Sequence, residues 1–386
     1  MECGLKLSFY FRRRLIFTTA LFLSMYLDRI DYLQSVSFDT KGIQNALPFL
    51  YGEEINSLAV ANAIKNYRFA WKNQKEQHRS VPTFKKRSYE QSYQTNAQYN
   101  TRKGITTCNV RFLDKDHVTL PKLGRISIGA SPKIIGSLLH RTADTRIGTI
   151  TIRRDAAGEY WASFAIASDE PFHQKLEKTG SMQGIDLNLI DLINDSDGGI
   201  RENKRFYASS QHKLTKAQHK LNRRAEHARA EGRKLQDSVN YQTQRKKVAY
   251  LHRKIERQRT DYLHTLSKRE VENQDFIAAE NLKVRNLKKN HHLAKAVSDA
   301  SWRTFLTMLQ YKGAFYGKTV VLIPPQYTTQ TCSHCGYIMK GEEHLTLSDR
   351  EWDCPNCNTH HDRDRNAAQN VLNKGLQIAK DAGLCL

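Results

Sequence analysis

The sequence has 386 residues but no long apolar run, few cysteines, and too few acidic residues to balance its basic ones. The one candidate for a targeting segment is Leu15–Leu27, which is shorter than the roughly 20 apolar residues that cross a bilayer. The residues after it lack the small-x-small pattern of a signal-peptide cleavage site. We therefore expect a buried helix there, with neither export nor a membrane span.

The deficit of acidic residues is the strongest compositional signal, because 39 Asp and Glu against 61 Lys and Arg give a formal net charge of +22. Charges of one sign repel each other in a compact chain, so this surplus suits a protein that binds a long polyanion. Apolar residues make up 39% of the chain, enough for a folded core, and the length suits two or three domains. We expect nucleic acid as the partner; the alternative is a basic protein without a polyanionic partner.

The seven cysteines do not form the dense framework of a disulfide-stabilised secreted domain. Four of them occur in two Cys-x-x-Cys pairs, each of which can place two thiolates on one tight turn. Two such turns can surround one Zn²⁺, and four thiolates leave no position for a catalytic ligand or for the nearby His334, His360 and His361. We predict a structural zinc ribbon. Its ligands are Cys332, Cys335, Cys354 and Cys357. We also expect the protein to occupy a reducing compartment, the cytoplasm, in association with the nucleoid.

The first third of the chain changes character twice. Apolar residues recur at helical spacing from about Leu15 to Trp71, and the basic stretch Lys72–Lys103 follows without an apolar period. This stretch mixes cations with aromatic rings, a combination that contacts phosphates and stacks on bases; the alternative is a solvated basic loop. Its candidate nucleic-acid contacts are Lys85, Lys86, Arg87, Tyr89 and Tyr93.

Short strands separated by Gly, Pro and Asp turns follow, and their spacing predicts a small β-barrel or sandwich. They are His117–Leu120, Arg125–Ile128, Gly148–Arg153 and Tyr160–Ala167. Later strands alternate with helices, which predicts an α/β domain. The predicted strands are in Gly184–Asn194, Asp275–Glu280 and Lys318–Ile323, and the predicted helices are Lys295–Tyr316 and Asp364–Ala382.

Residues 201–270 hold 20 Lys and Arg against 7 Asp and Glu, a net charge of +13. Apolar residues recur at helical spacing on both sides of a turn near Gly232, so we predict a basic helical hairpin. The alternative is a coiled coil, but solvated coiled-coil faces interleave both signs of charge. The candidate phosphate contacts in this hairpin are Arg223, Arg224, Arg245, Lys246 and Lys247.

Three acidic residues lie where apolar segments end, namely Asp186, Glu280 and Asp364. Each alone could be an outward-facing residue of an alternating strand. Together they suit phosphodiester hydrolysis with two metal ions, which needs several carboxylates around a pair of closely spaced Mg²⁺ ions.

Several motifs resemble one family. GIDLNLIDLINDSDG, IAAENLKV, KNHHLAKAVSDASW, QTCSHCG and REWDCPNCNTHHDRDRNAAQNVL are similar to the RuvC-like nuclease and zinc ribbon of the TnpB (OrfB) transposon-encoded proteins, relatives of compact type V CRISPR effectors. The resemblance is closest over about Gly180–Leu372. It implies that Asp186, Glu280 and Asp364 bind two catalytic Mg²⁺ ions. Asp362 competes with Asp364, which we prefer because the family's acid directly precedes x-Asn-Ala-Ala.

The resemblance also implies a fold, α/β and multidomain. An RNase H-like RuvC domain with a helical insertion and a zinc ribbon would follow a small β-barrel wedge domain that a helical recognition region interrupts. The implied boundaries are 1–14 for a divergent start of the wedge, 15–103 for the recognition region, 104–180 for the barrel, 181–325 for the RuvC-like domain with insertion 201–270, 326–360 for the ribbon and 361–386 for the end of the RuvC-like domain.

The implied function is RNA-guided cleavage of double-stranded DNA, with a guide RNA from the protein's own transposon end. Arg363 or Arg365 would then steady the scissile phosphate. Three alternatives remain open: a catalytically silent RNA-guided regulator, a transposase that transfers DNA strands, and a zinc-ribbon binding module without enzymatic activity.

The N-terminus departs from the family pattern. Met1–Leu33 lacks the usual Tyr/Arg-rich strand and is more apolar. We therefore expect the first barrel strand to be missing or altered.

Overall fold

The computed structural model describes residues 3–11, 39–52, 55–78, 80–82, 91–129, 136, 145–346 and 348–384. These residues belong to two compact units. The first unit draws on residues 1–172 and 242–250, and the second on residues 173–241 and 251–386. None of the described helices is long and apolar enough to cross a bilayer. The helix predicted at Leu15–Leu27 lies outside the described residues.

Antiparallel strands form the framework of the first unit. They are β1 (Cys3–Phe11), β2 (Gln91–Asn96), β3 (Tyr99–Arg102), β4 (Ile105–Cys108), β5 (Arg111–Asp114), β6 (His117–Leu120), β7 (Gly124–Gly129), β8 (Thr145–Arg154) and β9 (Tyr160–Ser168). Seven of them form one sheet in the order β2-β8-β9-β1-β7-β6-β5, and β3 pairs with β4. The four strands predicted between residues 117 and 167 are confirmed as β6 to β9.

The prediction of a closed barrel is wrong, because β2 and β5 are the two edges of the described sheet and do not pair with each other. The unit's helices are α1 (Thr40–Ala46) and α2 (Ser57–Gln77), with a 3-10 turn at Pro48–Tyr51. Helix α2 lies along β2, where the Asn62 side-chain amide donates to the backbone carbonyl of Gln94 at 3.3 Å. A covering helix protects an edge strand as another strand would, so the sheet needs no closure.

The structure differs from two expectations for the N-terminal part. The first strand is present, since β1 pairs with β9 along its whole length, from Cys3 opposite Ser168 to Phe11 opposite Tyr160. Its sequence, CGLKLSFYF, alternates apolar and polar residues at Leu5, Lys6, Leu7 and Ser8, the period of a strand. The helical region predicted over 15–103 ends in strands β2 and β3, where backbone pairing with β8 and β4 provides order without an apolar period.

The second unit contains a five-stranded mixed sheet and a small two-stranded one. The strands are β10 (Met182–Asp186), β11 (Asp191–Asp195), β12 (Ile200–Glu202), β13 (Phe276–Glu280), β14 (Thr319–Ile323), β15 (Glu351–Asp353) and β16 (His360–Asp362). The helices are α3 (Phe206–Ala230), α4 (Val239–Asn273), α5 (Val284–Leu287), α6 (His291–Ala300), α7 (Trp302–Tyr316) and α8 (Arg363–Asp381), with a 3-10 turn at Gly341–Glu343. The larger sheet has the order β12-β11-β10-β13-β14, in which β10, β13 and β14 are parallel.

Helices cover both faces of the parallel strands, so every residue of β13 is buried. Ile277 and Ala279 pack in one apolar cluster with Phe305 of α7, whereas Phe276 and Ala278 pack in another cluster with α8. Alternate residues of a strand point to opposite faces, so the two clusters lie on the two sides of the sheet. The second unit is therefore the predicted α/β domain.

The hairpin prediction is confirmed by α3 and α4, which are joined by a connection containing Gly232 with φ +66°. The helix predicted at Lys295–Tyr316 is in fact two helices, because Ser301 adopts the left-handed conformation between α6 and α7. At the end of α6, the Asp299 carboxylate accepts hydrogen bonds from the Tyr207 and Ala208 amides in the first turn of α3. It also pairs with Arg259 of α4 at 3.1 Å, so one buried acid joins three helices.

Gly184 sets the distance between β10 and α8. A Cβ atom at Gly184 would lie 2.0 Å from the carbonyl oxygen of Ala368 and 2.7 Å from the amide of Leu372. Both obstacles are backbone atoms, which cannot move aside as a flexible side chain would. We expect Gly184→Ala to lower the free energy of unfolding by at least about 3 kcal/mol, measured by urea denaturation.

Gly148→Ala is the matched control for that substitution. Its added Cβ would lie 3.7 Å from the nearest backbone atom, which is ordinary van der Waals contact. Equal stabilities of the two variants would contradict the close approach of α8 to β10.

Candidate active site and metal cluster

The three predicted acidic residues meet at one edge of the larger sheet. Strands β10 and β13 run parallel with Ile185 opposite Ala279, so their final residues, Asp186 and Glu280, end side by side. Asp364 lies in the first turn of α8, which packs on β10. All three side chains line a cavity of about 720 Å³. Residues far apart in the sequence thus contribute carboxylates to a single cleft.

The structure separates Asp362 from this group. Asp362 is exposed, and its carboxylate caps α8 by accepting a hydrogen bond from the Arg365 amide at 2.8 Å. Asp364 instead lines the cavity with Asp186 and Glu280. The geometry thus favours Asp364 as the third member of the cluster.

Burial and mutual repulsion disfavour ionisation of this cluster. Burial, followed by the negative charges of Glu280 and Asp364, raises the pKa of Asp186 well above its usual range, while Arg363 opposes the shift. Burial also raises the pKa of Glu280, against the hydrogen bond that it accepts from Thr328. A divalent cation among these oxygens would relieve the repulsion and stabilise the ionised carboxylates.

Three side chains hold Asp364, and two of them, Arg350 and Asn194, were not singled out in the sequence. Arg350 donates to its Oδ2 atom at 3.3 Å, and Asn194 donates to the same atom at 3.4 Å. Arg363 donates to Oδ1 from Nε and Nη2, both at 3.2 Å. Asn194 stands out as an amide in a buried strand, whereas Arg350 carries no such signal.

The four predicted zinc ligands also converge. Their sulfur atoms all lie within 4.8 Å of one another, with Cys332 3.7 Å from Cys357 and Cys335 3.6 Å from Cys354. Zn–S bonds of about 2.3 Å at tetrahedral angles imply S···S distances of about 3.8 Å, whereas a disulfide requires about 2.05 Å. The donor set and spacing therefore fit Zn²⁺.

His361 lies beside this four-cysteine cluster. Its Nε2 atom is 3.1 Å from the Cys332 sulfur, and its ring packs on Trp352 with centroids 4.6 Å apart. His360 is instead exposed and bonds to Asp353 at 2.8 Å. His361 is thus placed to donate a hydrogen bond to a thiolate while the four sulfurs complete the coordination.

The predicted nucleic-acid contacts in the hairpin differ in exposure. Arg223 and Lys247 are exposed, and Lys246 is half-buried. Arg224 donates to the Asn240 carbonyl at 2.7 Å, which joins the start of α4 to α3. Arg245 is buried and donates to the Ala156 carbonyl at 2.8 Å, so its guanidinium has a structural role in the first unit.

Two of the remaining predicted nucleic-acid contacts are also taken up by contacts within the protein. Tyr93 packs against the core of the first unit, and this burial raises its pKa, which argues against base stacking by its ring. Arg363 is buried and bonds to Asp364 and to the Thr346 carbonyl, so it serves the carboxylate cluster. Lys85, Lys86, Arg87 and Tyr89 lie outside the described residues.

Two family models match the chain. Residues 163–291 match a model described as "Probable transposase" (OrfB_IS605), and residues 302–371 match the "Cas12f1-like, TNB domain". The first match begins in β9 and extends past Glu280, and the second contains the four cysteines and Asp364.

Curated relatives cover most of the chain. A Streptomyces pristinaespiralis protein named "Putative RNA-guided DNA endonuclease" is 32% identical over 350 residues, which are 90% of this chain and 78% of that protein. The Escherichia coli K12 protein "Putative RNA-guided DNA endonuclease InsQ" is 26% identical over 352 residues, 87% of this chain and 78% of that protein.

A solved structure supports the architecture. The mini-RNA-guided endonuclease CRISPR-Cas_phi3 aligns with a TM-score of 0.51 at 9% identity, covering 99% of this chain and 93% of that one. At this identity the likeness concerns the fold alone, a compact multidomain α/β architecture. The sequence relationships are more specific: the chain belongs to the TnpB (OrfB) family.

Proposed function

We propose that this protein is a transposon-encoded, RNA-guided DNA endonuclease that hydrolyses phosphodiesters with two Mg²⁺ ions. The observation that carries the proposal is the convergence of Asp186, Glu280 and Asp364 at one cavity. The names of the curated relatives support the same activity. In this scheme the second unit is a RuvC-like domain with insertion 201–270 and zinc ribbon 326–360, and the first unit is the wedge and recognition region.

The three carboxylates would hold the Mg²⁺ ions, which favour hard oxygen ligands. Bound there, the two ions would activate a water molecule and stabilise the leaving oxygen. Arg363 and Arg350 place positive charge beside Asp364, where a DNA phosphate would approach the cluster. Sequence recognition would come from pairing between a guide RNA and the target strand, with the basic surfaces holding both phosphate backbones.

The decisive experiment is to purify the protein with RNA co-expressed from its own transposon end and to sequence the bound RNA. The complex is then tested against matching duplexes next to a randomised flanking motif, with Mg²⁺ or with EDTA. We expect a bound RNA of defined sequence and Mg²⁺-dependent free DNA ends. Covalently joined strands would indicate a transposase, and binding without cleavage would indicate a silent regulator. The absence of a defined RNA would overturn the guided mechanism.

If exposed basic side chains of the helical hairpin contact phosphates, they should increase the salt dependence of nucleic-acid binding. Each lost phosphate contact lowers the slope of log K against log salt concentration by about 1. We expect Arg223→Gln to lower the slope by about that amount in filter-binding titrations of the guide RNA. Arg303→Gln, at an exposed arginine of α7 outside the hairpin, is the control. Equal slopes for the two variants would contradict a phosphate contact at Arg223.

A further inference from the structure

Thr328 connects the two candidate metal sites of the second unit. It lies between the end of β14 and the first cysteine pair and is 3% exposed. Its hydroxyl donates a hydrogen bond to Oε1 of Glu280 at 2.5 Å, and the same oxygen lies 3.2 Å from the Pro325 carbonyl. A hydroxyl has one proton, and the shorter contact to a carboxylate is the stronger.

The backbone of Thr328 is fixed by α8. The side-chain amide of Asn370 donates to the carbonyl of Thr328 at 2.9 Å and to that of Thr331 at 2.6 Å. Asn370 is 5% exposed, so these contacts are shielded from water. The position of the Thr328 hydroxyl therefore depends on a buried residue of the helix that also carries Asp364.

The zinc-binding turn is fixed by the same helix. Asn366, one turn before Asn370 and 2% exposed, donates to the Thr331 carbonyl at 2.8 Å. Its Oδ1 atom accepts from the amide of Ser333 at 2.8 Å, and Ser333 lies within the first Cys-x-x-Cys pair. Residues four apart on a helix share a face. Two asparagines thus hold both ends of the segment Thr328–Ser333.

We propose that Thr328 is a positioning residue for Glu280. Asn370 and Asn366 fix the position of Thr328 relative to the zinc-binding turn. The inference rests on the proposed function. The Thr328 hydroxyl bonds to Oε1 of Glu280 and so fixes the orientation of this carboxylate, which would help to hold a catalytic cation. Residues that orient a metal ligand in this way influence metal affinity by about 10- to 100-fold when they are replaced.

Mn²⁺ binding to the purified full-length protein, followed by electron paramagnetic resonance, tests the proposal without relying on cleavage. Thr328→Val removes the hydroxyl but keeps the shape, and we expect it to weaken Mn²⁺ binding about 10- to 100-fold at unchanged zinc content. Thr328→Ser restores the donor and should bind Mn²⁺ as the native protein does. Thr307→Val is the matched control, because Thr307 is exposed on α7 and does not line the cavity of the three carboxylates.

The outcomes separate this inference from the proposed function. Native protein that binds no Mn²⁺ would overturn the catalytic metal site itself. Native binding with equal affinity for Thr328→Val would overturn only the positioning role. If Thr328→Val does not fold, Asn370→Ala gives a second measurement: weaker Mn²⁺ binding with zinc retained supports the link, and unchanged binding overturns it.

Discussion

The Asp186→Asn variant is expected to lose DNA cleavage by at least about 10³-fold while it keeps RNA and DNA binding. Asp186 ends β10 beside Glu280, is 7% exposed, and lines the cavity that the three carboxylates share. Asparagine keeps its size but loses the charge that binds Mg²⁺. Single-turnover cleavage and gel-shift titration on the same RNA-bound preparation measure the two properties.

Asp362→Asn is the control for that variant. Asp362 is two residues from Asp364 and equally acidic, but it caps α8, and asparagine caps a helix as well as aspartate does. We expect native cleavage by Asp362→Asn. Cleavage retained by Asp186→Asn, or lost only in Asp362→Asn, would overturn the assignment of the carboxylates.

The Asp186→Asn variant should also differ from the native protein in the way its stability depends on pH when no metal is bound. Burial and the charges of Glu280 and Asp364 raise the pKa of Asp186 in the folded state. Folding then favours the protonated acid, so this contribution is present at low pH and is lost as the pH rises through the raised pKa. In EDTA we expect Asp186→Asn to melt above the native protein at neutral pH, and the difference should shrink with acidification.

Added Mg²⁺ should reverse this order of melting temperatures, so that the native protein melts above the Asp186→Asn variant. The native carboxylates gain a cation that offsets their repulsion, whereas the variant has lost one ligand. A Tm for Asp186→Asn below that of the native protein in EDTA would contradict the electrostatic argument.

The second large effect is expected for Cys354→Ser, which removes a fully buried member of the four-cysteine cluster. Structural zinc in small domains contributes on the order of 10 kcal/mol to folding. We expect zinc content near zero by mass spectrometry, a lower Tm, and loss of cleavage. Cleavage should be lost because Ser333, within the first cysteine pair, and Thr331, just before it, bond to the helix that carries Asp364.

Cys108→Ser provides the comparison for the zinc variant. Cys108 lies in β4 of the first unit, away from the four-cysteine cluster in sequence and in sheet membership. Native zinc content and cleavage are expected for it. Full zinc content in Cys354→Ser would refute the ligand assignment.

Local sequence patterns explain why the four-cysteine cluster and the carboxylate cluster could be predicted. Two Cys-x-x-Cys pairs specify their geometry locally, since each pair closes one turn. Asp186 and Glu280 were predictable because each ends an apolar run, and ends of parallel strands meet at one edge of a sheet. The choice of Asp364 over Asp362 needed the family motif, and the hydrogen bond from Arg365 supplies its physical reason.

The remaining differences come from tertiary contacts that local patterns do not encode. Strand β1 owes its place to pairing with β9, far along the chain, and α2 covers an edge that we expected to be closed by another strand. Composition indicated a basic hairpin but not the burial of Arg245. The hydroxyl of Thr328 donates to Glu280, which ends a distant strand, β13.

The order in which the carboxylates occur has a consequence for biosynthesis. Asp186 and Glu280 leave the ribosome well before Asp364, and α8 covers β10 at Gly184 only after its own residues have emerged. At about 5–20 residues per second, the interval between the first and third acids is roughly 10–40 s. During that interval the nascent chain lacks one of the three carboxylates, so under the proposed mechanism it would not yet be able to cleave DNA.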